Sequence, residues 1–173
     1  DTLYGGSGDD TIDGGSDTDT VVFDASQEYF QIAVGLGGSL SVADMGSANS
    51  LGTDKLISIE TLRFDNASLY ITETVSKTSI EGDNNANYIN LDVDGVPVEI
   101  WGYQGNDKIT VSTGDATIDG GDGGDTVILM ANASEAFNVD LSSGTASSTL
   151  LTASLSDVEN VTTSGGADQL VGD

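Results

Sequence analysis

A nine-residue period in Asp and Gly is the feature that most restricts how this chain can fold. Asp1-Thr2-Leu3, Asp10-Thr11-Ile12 and Asp19-Thr20-Val21 recur at a spacing of nine, and Gly-rich hexapeptides precede the second and third triplets. The same frame returns in residues 102–109 and 120–127. A helical period of 3.6 residues cannot produce this spacing. The pattern instead predicts short strands joined by tight glycine-rich turns.

Two such units form one coil of about 18 residues, with a strand on each side and a turn at each end. The central residue of each strand is apolar and is predicted to face a narrow core. These residues are Leu3, Ile12, Val21, Ile100, Ile109, Ile118 and Val127. The 23 glycines in 173 residues agree with a fold that needs many tight turns.

The charge balance excludes several classes of function. The chain has 29 Asp and Glu against 4 Lys and Arg, a formal net charge of −25, and it contains no His and no Cys. Disulfides, thiolate zinc sites, cysteine nucleophiles and histidine bases are therefore absent. So acidic a surface repels nucleic-acid phosphate and anionic lipid, and no apolar run reaches the roughly 20 residues of a membrane span. We expect no nucleic-acid partner, no membrane insertion and an affinity for cations.

Stacked coils bring equivalent Asp residues close together. Adjacent strands lie roughly 4.8 Å apart, and two carboxylates at that distance repel by roughly 3.5 kcal/mol at an effective dielectric constant of about 20. A divalent cation between the turns reverses this repulsion. Carboxylate and backbone carbonyl oxygens in flexible loops favour Ca²⁺ over zinc, copper or iron.

The repeated pattern Gly-Gly-x-Gly-x-Asp-x-apolar-x resembles the RTX (repeats-in-toxin, haemolysin-type calcium-binding) family. Clear units cover residues 1–23 and 98–128, with degenerate units at 84–89 and 165–170. The resemblance implies an all-β fold, a parallel β-roll of 18-residue coils that holds calcium between turns along one edge. It also implies a non-catalytic module of a large secreted or surface protein, exported from Gram-negative bacteria by type I secretion. The alternative is a set of ordinary Asp/Gly hairpin turns without metal.

Five segments follow from the period and its interruptions. They are truncated β-roll turns at 1–23, a strand-rich excursion at 24–79, a central calcium-binding β-roll at 80–128, a second excursion at 129–157, and, at 158–173, a strand that re-enters the roll and begins a further one. The excursions are predicted to form antiparallel hairpins over the end or side of the roll. Residues 56–62 match residues 155–161, which indicates two copies of one plan. Both ends of the sequence fall inside a repeat, so we expect the chain to be part of a longer protein whose neighbouring repeats contact it.

The best predicted calcium site lies between Asp107 and Asp125, which are 18 residues apart with both turns intact. Its candidate carbonyl donors are Gly102, Gln104, Gly105, Gly120, Asp122 and Gly123. A second site would use Asn87, which lies 20 residues before Asp107. Weaker candidates are the pair Asp1 and Asp19, whose first turn is truncated, and Asp10, which would need a partner near Glu28 where the glycine pattern has ended.

Two other functions stay open at this point. Trp101 and Tyr103 lie beside a turn and would either stack on a glycan, as in a carbohydrate-binding adhesin module, or simply pack. The chain would otherwise be an accessory module of a secreted enzyme acting on alginate or protein, with the catalytic residues elsewhere. We predict no catalytic residue within this sequence.

Overall fold

The computed structural model describes residues 1–35, 39–46, 51–73, 77–94, 96–132 and 134–172. Within these ranges the chain forms 19 β-strands and one single-turn 3₁₀ helix at Gln27–Tyr29. None of its helical segments there has the length and apolar character needed to cross a bilayer. The all-β prediction is confirmed.

The strands are short, as the nine-residue period requires. In chain order they are β1 (Thr2–Leu3), β2 (Thr11–Asp13), β3 (Thr20–Val22), β4 (Phe30–Gly35), β5 (Ser39–Asp44), β6 (Thr53–Ile57), β7 (Thr61–Arg63), β8 (Ser68–Glu73), β9 (Thr78–Glu81), β10 (Tyr88–Val93), β11 (Val98–Trp101), β12 (Lys108–Val111), β13 (Gly114–Asp119), β14 (Thr126–Leu129), β15 (Asn138–Asp140), β16 (Thr145–Ser147), β17 (Leu151–Ser156), β18 (Asn160–Thr163) and β19 (Gln169–Val171).

These strands form two sheets. The first sheet has 11 strands in the order β1-β3-β7-β8-β9-β11-β13-β17-β16-β15-β19. The second sheet has 8 strands in the order β18-β14-β12-β10-β4-β5-β6-β2. Successive repeat strands alternate between the two sheets, so the chain winds as a coil.

The register confirms the parallel roll with 18-residue coils. Ile109 is the partner of Val127 in the second sheet, and Ile100 is the partner of Ile118 in the first. All four side chains are buried, because the central residue of each repeat strand faces inward. Burying one such side chain contributes about 1.5–3 kcal/mol, which is the main stabilisation available to so narrow a core.

The antiparallel hairpins lie in a different place from the one predicted. β4, β5 and β6 pair antiparallel inside the second sheet and connect β10 to β2. β8 lies antiparallel between β7 and β9 in the first sheet. The hairpins therefore extend the two sheets and do not cover the roll. In this position they pair with strand edges that the end coils of the roll would otherwise leave open. The early repeats and the central roll become parts of the same two sheets.

Three phenylalanines fill the interior where hairpin strands replace the nonapeptide repeat. The ring centroids of Phe23, Phe30 and Phe64 lie 5.1–5.4 Å from one another, and all three side chains are buried. Such aromatic pairs add about 0.5–1.5 kcal/mol each beyond the area that they bury. This cluster joins the first repeats to the excursion that follows them.

Candidate metal centre

One residue before each second-sheet strand of the central roll lies on the same edge of the molecule. Asn87, Asp107, Asp125 and Glu159 directly precede β10, β12, β14 and β18. These strands pair in parallel with Tyr88 opposite Lys108, Lys108 opposite Thr126, and Thr126 opposite Asn160. The four preceding residues are thus stacked one above another, and we call them the edge column.

Hydrogen bonds from backbone N–H groups to side-chain oxygens connect the members of the edge column. The N–H of Asn87 donates to Asp107 Oδ1 at 2.8 Å, and the N–H of Asp107 donates to Asp125 Oδ1 at 2.8 Å. The N–H of Asp125 donates to Glu159 Oε2 at 2.6 Å. Each of these carboxylates therefore uses one oxygen to hold the turn of the neighbouring coil. The bonds are charge-assisted and stronger than neutral ones.

The second oxygen of the two aspartates has no partner. Asp107 Oδ2 and Asp125 Oδ2 are buried without a hydrogen bond, as is Asn87 Oδ1. The three side chains are 1%, 0% and 0% exposed, respectively. Burying charged oxygen without compensation costs several kcal/mol. A cation bound among these oxygens would remove that cost, so the residues fit a metal ion that prefers oxygen ligands.

Glycines at the start of each turn keep the space beside these oxygens open. A Cβ atom at Gly102 would collide with the Gly120 carbonyl oxygen and with Asp107 Oδ2. A Cβ at Gly120 would lie 2.7 Å from Asp125 Oδ2. Backbone carbonyls and carboxylates thus converge where only glycine leaves room.

The other predicted donors lie in the same two stacked turns. Gln104 and Asp122 form an isolated parallel bridge between the turns. The N–H of Gly105 donates to the Asp122 carbonyl at 3.0 Å. A Cβ at Gly123 would collide with the Gly105 carbonyl oxygen. The structure therefore brings the predicted donors together, and their role as calcium ligands stays a prediction.

The electrostatics of the metal-free edge column oppose full ionisation. Burial raises the pKa of Asp107 to about 6, with a further contribution from the charges of Asp125 and Asp83. Burial also raises the pKa of Asp125, and the charges of Glu159, Asp119 and Asp157 act in the same direction. Both shifts arise because negative charge is concentrated in a poorly hydrated place.

Carboxylates alone do not complete a metal site. Among the residues that the structure describes, no group of three or more Asp, Glu, His or Cys side chains is arranged to hold an ion. Any ion bound here would need backbone carbonyl oxygens in addition to the carboxylates of Asp107 and Asp125. An oxygen-only set of this kind suits calcium.

A shorter column lies on the opposite edge, before the first-sheet strands β1, β3 and β7. It consists of Asp1, Asp19 and Glu60. The nitrogen of Asp1 donates to Asp19 Oδ1 at 2.8 Å, and the N–H of Asp19 donates to Glu60 Oε2 at 2.8 Å. Asp19 is 1% exposed and its Oδ2 has no hydrogen-bond partner. The predicted pair of Asp1 and Asp19 is adjacent in space.

The expectation that a partner of Asp10 would lie near Glu28 is wrong. The N–H of Asp10 donates to Asp54 Oδ1 at 3.0 Å, because β6 returns through two hairpins to pair in parallel with β2. Asp10 Oδ2 is buried without a partner. The Oδ2 atoms of both aspartates would lie 3.0 Å from a Cβ at Gly5. Burial and the charges of Asp10 and Asp9 raise the pKa of Asp54.

Sequence reasoning missed three residues that end or complete these columns. Glu159 and Glu60 each end a column after a three-residue turn whose first residue has a left-handed φ, 47° at Asp157 and 53° at Ser58. The match between residues 56–62 and 155–161 contained this signal. Asp54 was also detectable, because Gly52-Thr53-Asp54 followed by Leu56 repeats the second half of the nonapeptide pattern.

The comparison with protein families agrees with this geometry. The model of the RTX calcium-binding nonapeptide repeat matches residues 1–25 and 100–131, in four copies. These segments contain both aspartate pairs at 18-residue spacing, Asp1 with Asp19 and Asp107 with Asp125. Residues 1–25 and 100–131 are thus similar to RTX calcium-binding nonapeptide repeats, which confirms the RTX resemblance of the sequence.

A solved structure with partial similarity is the extracellular lipase LipA from Serratia marcescens. The sequences are 17% identical, the match covers 81% of this chain and 28% of that chain, and the TM-score is 0.33. The chain thus spans just over a quarter of the lipase. No curated protein matches this sequence.

Proposed function

We propose that this chain is a calcium-binding, non-catalytic module of a larger secreted or surface protein, and that it folds when it binds calcium after export. The observation that carries the proposal is the pair of buried, unpartnered oxygens, Asp107 Oδ2 and Asp125 Oδ2, on adjacent coils. The family match supports calcium as the ion.

The proposed principal site uses the carboxylates of Asp107 and Asp125. Its carbonyl ligands come from the two stacked turns, at Gly102, Gln104, Gly105, Gly120, Asp122 and Gly123. Secondary sites use Asn87 with Asp107, Asp1 with Asp19, and Asp10 with Asp54. Each of these pairs presents at least one buried oxygen without a hydrogen bond.

Folding depends on calcium in this proposal because the same residues hold the coils together and repel one another. Asp107 and Asp125 fix neighbouring turns through their Oδ1 atoms, and this requires both charged groups to be buried side by side. Binding to the folded state alone stabilises it by RT ln(1 + [L]/Kd), which is about 1.4 kcal/mol per site at a tenfold excess over Kd. Extracellular calcium modules bind in the range of about 10⁻⁴ to 10⁻³ M, so such a module responds to the step from cytosol to exterior.

Export in an expanded state agrees with the composition. The sequence has no Cys, so no disulfide has to form before or after transport. It also has no His, and we propose no catalytic role for its carboxylates. The activity of the larger protein would reside in other segments.

The test is a calcium titration of the metal-free chain followed by far-ultraviolet circular dichroism, with magnesium as the comparison ion. We expect a calcium-selective gain of β signal. Asp107→Asn and Asp125→Asn should each move its midpoint at least tenfold higher, whereas Asp65→Asn, at an exposed position, should not. A folded spectrum that calcium leaves unchanged would rule out metal-coupled folding.

A further inference from the structure

Tyr103 occupies a turn position at which three other repeats have glycine. It has a φ of 71°, and the equivalent Gly6, Gly15 and Gly121 have φ values of 92°, 88° and 89°. A left-handed conformation is strained for a residue with a Cβ, and glycine avoids this strain. The turn itself therefore does not explain the tyrosine.

Packing does not explain Tyr103 either. The residue is 47% exposed, and its hydroxyl donates to Glu81 Oε2 at 2.7 Å. The ring is thus held at the surface by its polar end. Strained residues with fixed, exposed side chains are characteristic of functional positions.

Tyr103 adjoins a row of aromatic and acidic residues on the outer face of the first sheet. Trp101 on β11 is in register with Glu81 on β9 and with Asp119 on β13. Tyr70 on β8 is opposite Glu81 and is 48% exposed. Adjacent strands are roughly 4.8 Å apart, so Tyr70 and Trp101 are about 10 Å apart with a carboxylate between them.

Two shallow depressions meet at Trp101 and Tyr103, which line both of them. Hydroxyl, carboxylate and ammonium groups line the first depression, namely Thr72, Lys77, Ser79, Glu81 and Glu99. Lys77 Nζ and Glu99 Oε2 form an ion pair at 2.6 Å. The second depression is lined also by Asp119, Gly121, Asp122 and Asp157. Two aromatic rings among many hydrogen-bonding groups suit a ligand that has both an apolar face and several hydroxyl groups.

We propose that this face binds a carbohydrate without acidic groups. The apolar C–H face of a pyranose ring packs on an exposed aromatic ring, and sugar hydroxyls donate to carboxylates such as Glu81 and Asp119. Uronic acids and sulfated sugars are repelled by these carboxylates and by the net charge of −25. This function is additional to calcium binding, and its site extends from the outer face of the first sheet to the turns that contain Tyr103 and Asp122.

The chain offers a direct readout because Trp101 is its single tryptophan. The experiment titrates the calcium-loaded chain with neutral glucose, mannose and galactose oligosaccharides, with glucosamine oligomers and with uronate oligomers. Tryptophan emission and isothermal titration calorimetry follow the binding. We expect a saturable signal with at least one neutral or amino-bearing oligosaccharide and none with uronates.

Variants separate binding from stability. Tyr103→Gly should weaken the binding at least tenfold while it keeps the thermal midpoint of the calcium-loaded chain within about 3 °C, because the loss of a hydrogen bond is offset by the relief of strain. Trp101→Ala should abolish the calorimetric signal. Tyr4→Ala, at a 61% exposed position, should leave it unchanged.

Two results would overturn the proposal. They are the absence of saturable binding to any oligosaccharide of the panel and equal binding by the Tyr103→Gly variant. In the first case, saturation by tetramethylammonium would indicate a cation site. Circular dichroism of the same calcium-loaded samples reports folding, so failure of the calcium proposal would be seen separately.

Discussion

The backbone N–H of Asp107 donates to Oδ1 of Asp125, and the Oδ2 atoms of both residues are buried without a partner. One oxygen of each aspartate thus maintains the stacking of the coils, while the other is available only to a ligand. Removing the negative charge of one of these aspartates and removing its hydrogen bond to the neighbouring turn are therefore different perturbations.

Acidification should stabilise the metal-free chain. The pKa of Asp107 is raised to about 6 in the folded state by burial, from an ordinary value of 3.8, so the folded state binds a proton more tightly than the unfolded state. This contribution to stability is complete below about pH 4 and is lost as the pH rises through about 6. The raised pKa of Asp125 acts in the same direction.

The measurement is the folded fraction in the presence of a chelator at pH 5 and pH 7, followed by far-ultraviolet circular dichroism. We expect a larger folded fraction at pH 5, and the difference should shrink in Asp107→Asn. Residues whose pKa is lowered, such as Asp83 and Asp168, stay ionised in both states over this range and do not mask the effect. In saturating calcium, where the chain is folded, the urea midpoint should instead be lower at pH 5, since protons compete with the ion. Equal folded fractions at the two pH values without calcium would contradict the argument.

A methyl group at Gly120 should disrupt the roll. Its Cβ would collide with the Asp157 carbonyl oxygen and lie 2.7 Å from Asp125 Oδ2. Overpacking of this kind costs about 1–3 kcal/mol, so Gly120→Ala should lower the free energy of unfolding in calcium by that amount and weaken calcium binding.

Gly124→Ala is the matched control, because the nearest atom to its Cβ would be Asn106 Oδ1 at 3.4 Å, an ordinary contact. Its stability and calcium affinity should equal those of the parent chain. Similar losses in both variants would show that general glycine content matters, and not the space beside the edge column.

Glu159 should act as the terminal member of the edge column. Glu159→Ala leaves the N–H of Asp125 without its acceptor, which costs about 1–3 kcal/mol, while Glu159→Gln retains an acceptor and should cost less. Chemical denaturation in calcium measures both values. The exposed Glu28→Gln is the charge-matched control. If Glu159→Ala were as stable as the parent, the column would end at Asp125.

The period alone was sufficient to predict the register of the roll, because an 18-residue coil places Ile109 beside Val127. It was also sufficient to pair Asp107 with Asp125. The position of the hairpins was not predictable, since alternating sequences such as residues 30–34 pair equally well inside a sheet or over its face. Glu60 and Glu159 were missed because their shortened turns lack the glycines that identify a repeat.

Asp54 should complete a calcium site that the spacing of the repeats does not reveal. Its Oδ1 accepts the N–H of Asp10, which lies 44 residues earlier and directly before β2. The Oδ2 atoms of Asp10 and Asp54 would both lie 3.0 Å from a Cβ at Gly5. Asp54→Asn should therefore lower the calcium stoichiometry measured by calorimetry by about one ion and leave the Asp107 site intact. Asp115→Asn, at an exposed position of the first sheet, should keep the full stoichiometry. An unchanged stoichiometry in Asp54→Asn would show that the pair of Asp10 and Asp54 only fixes the hairpin to the first coil.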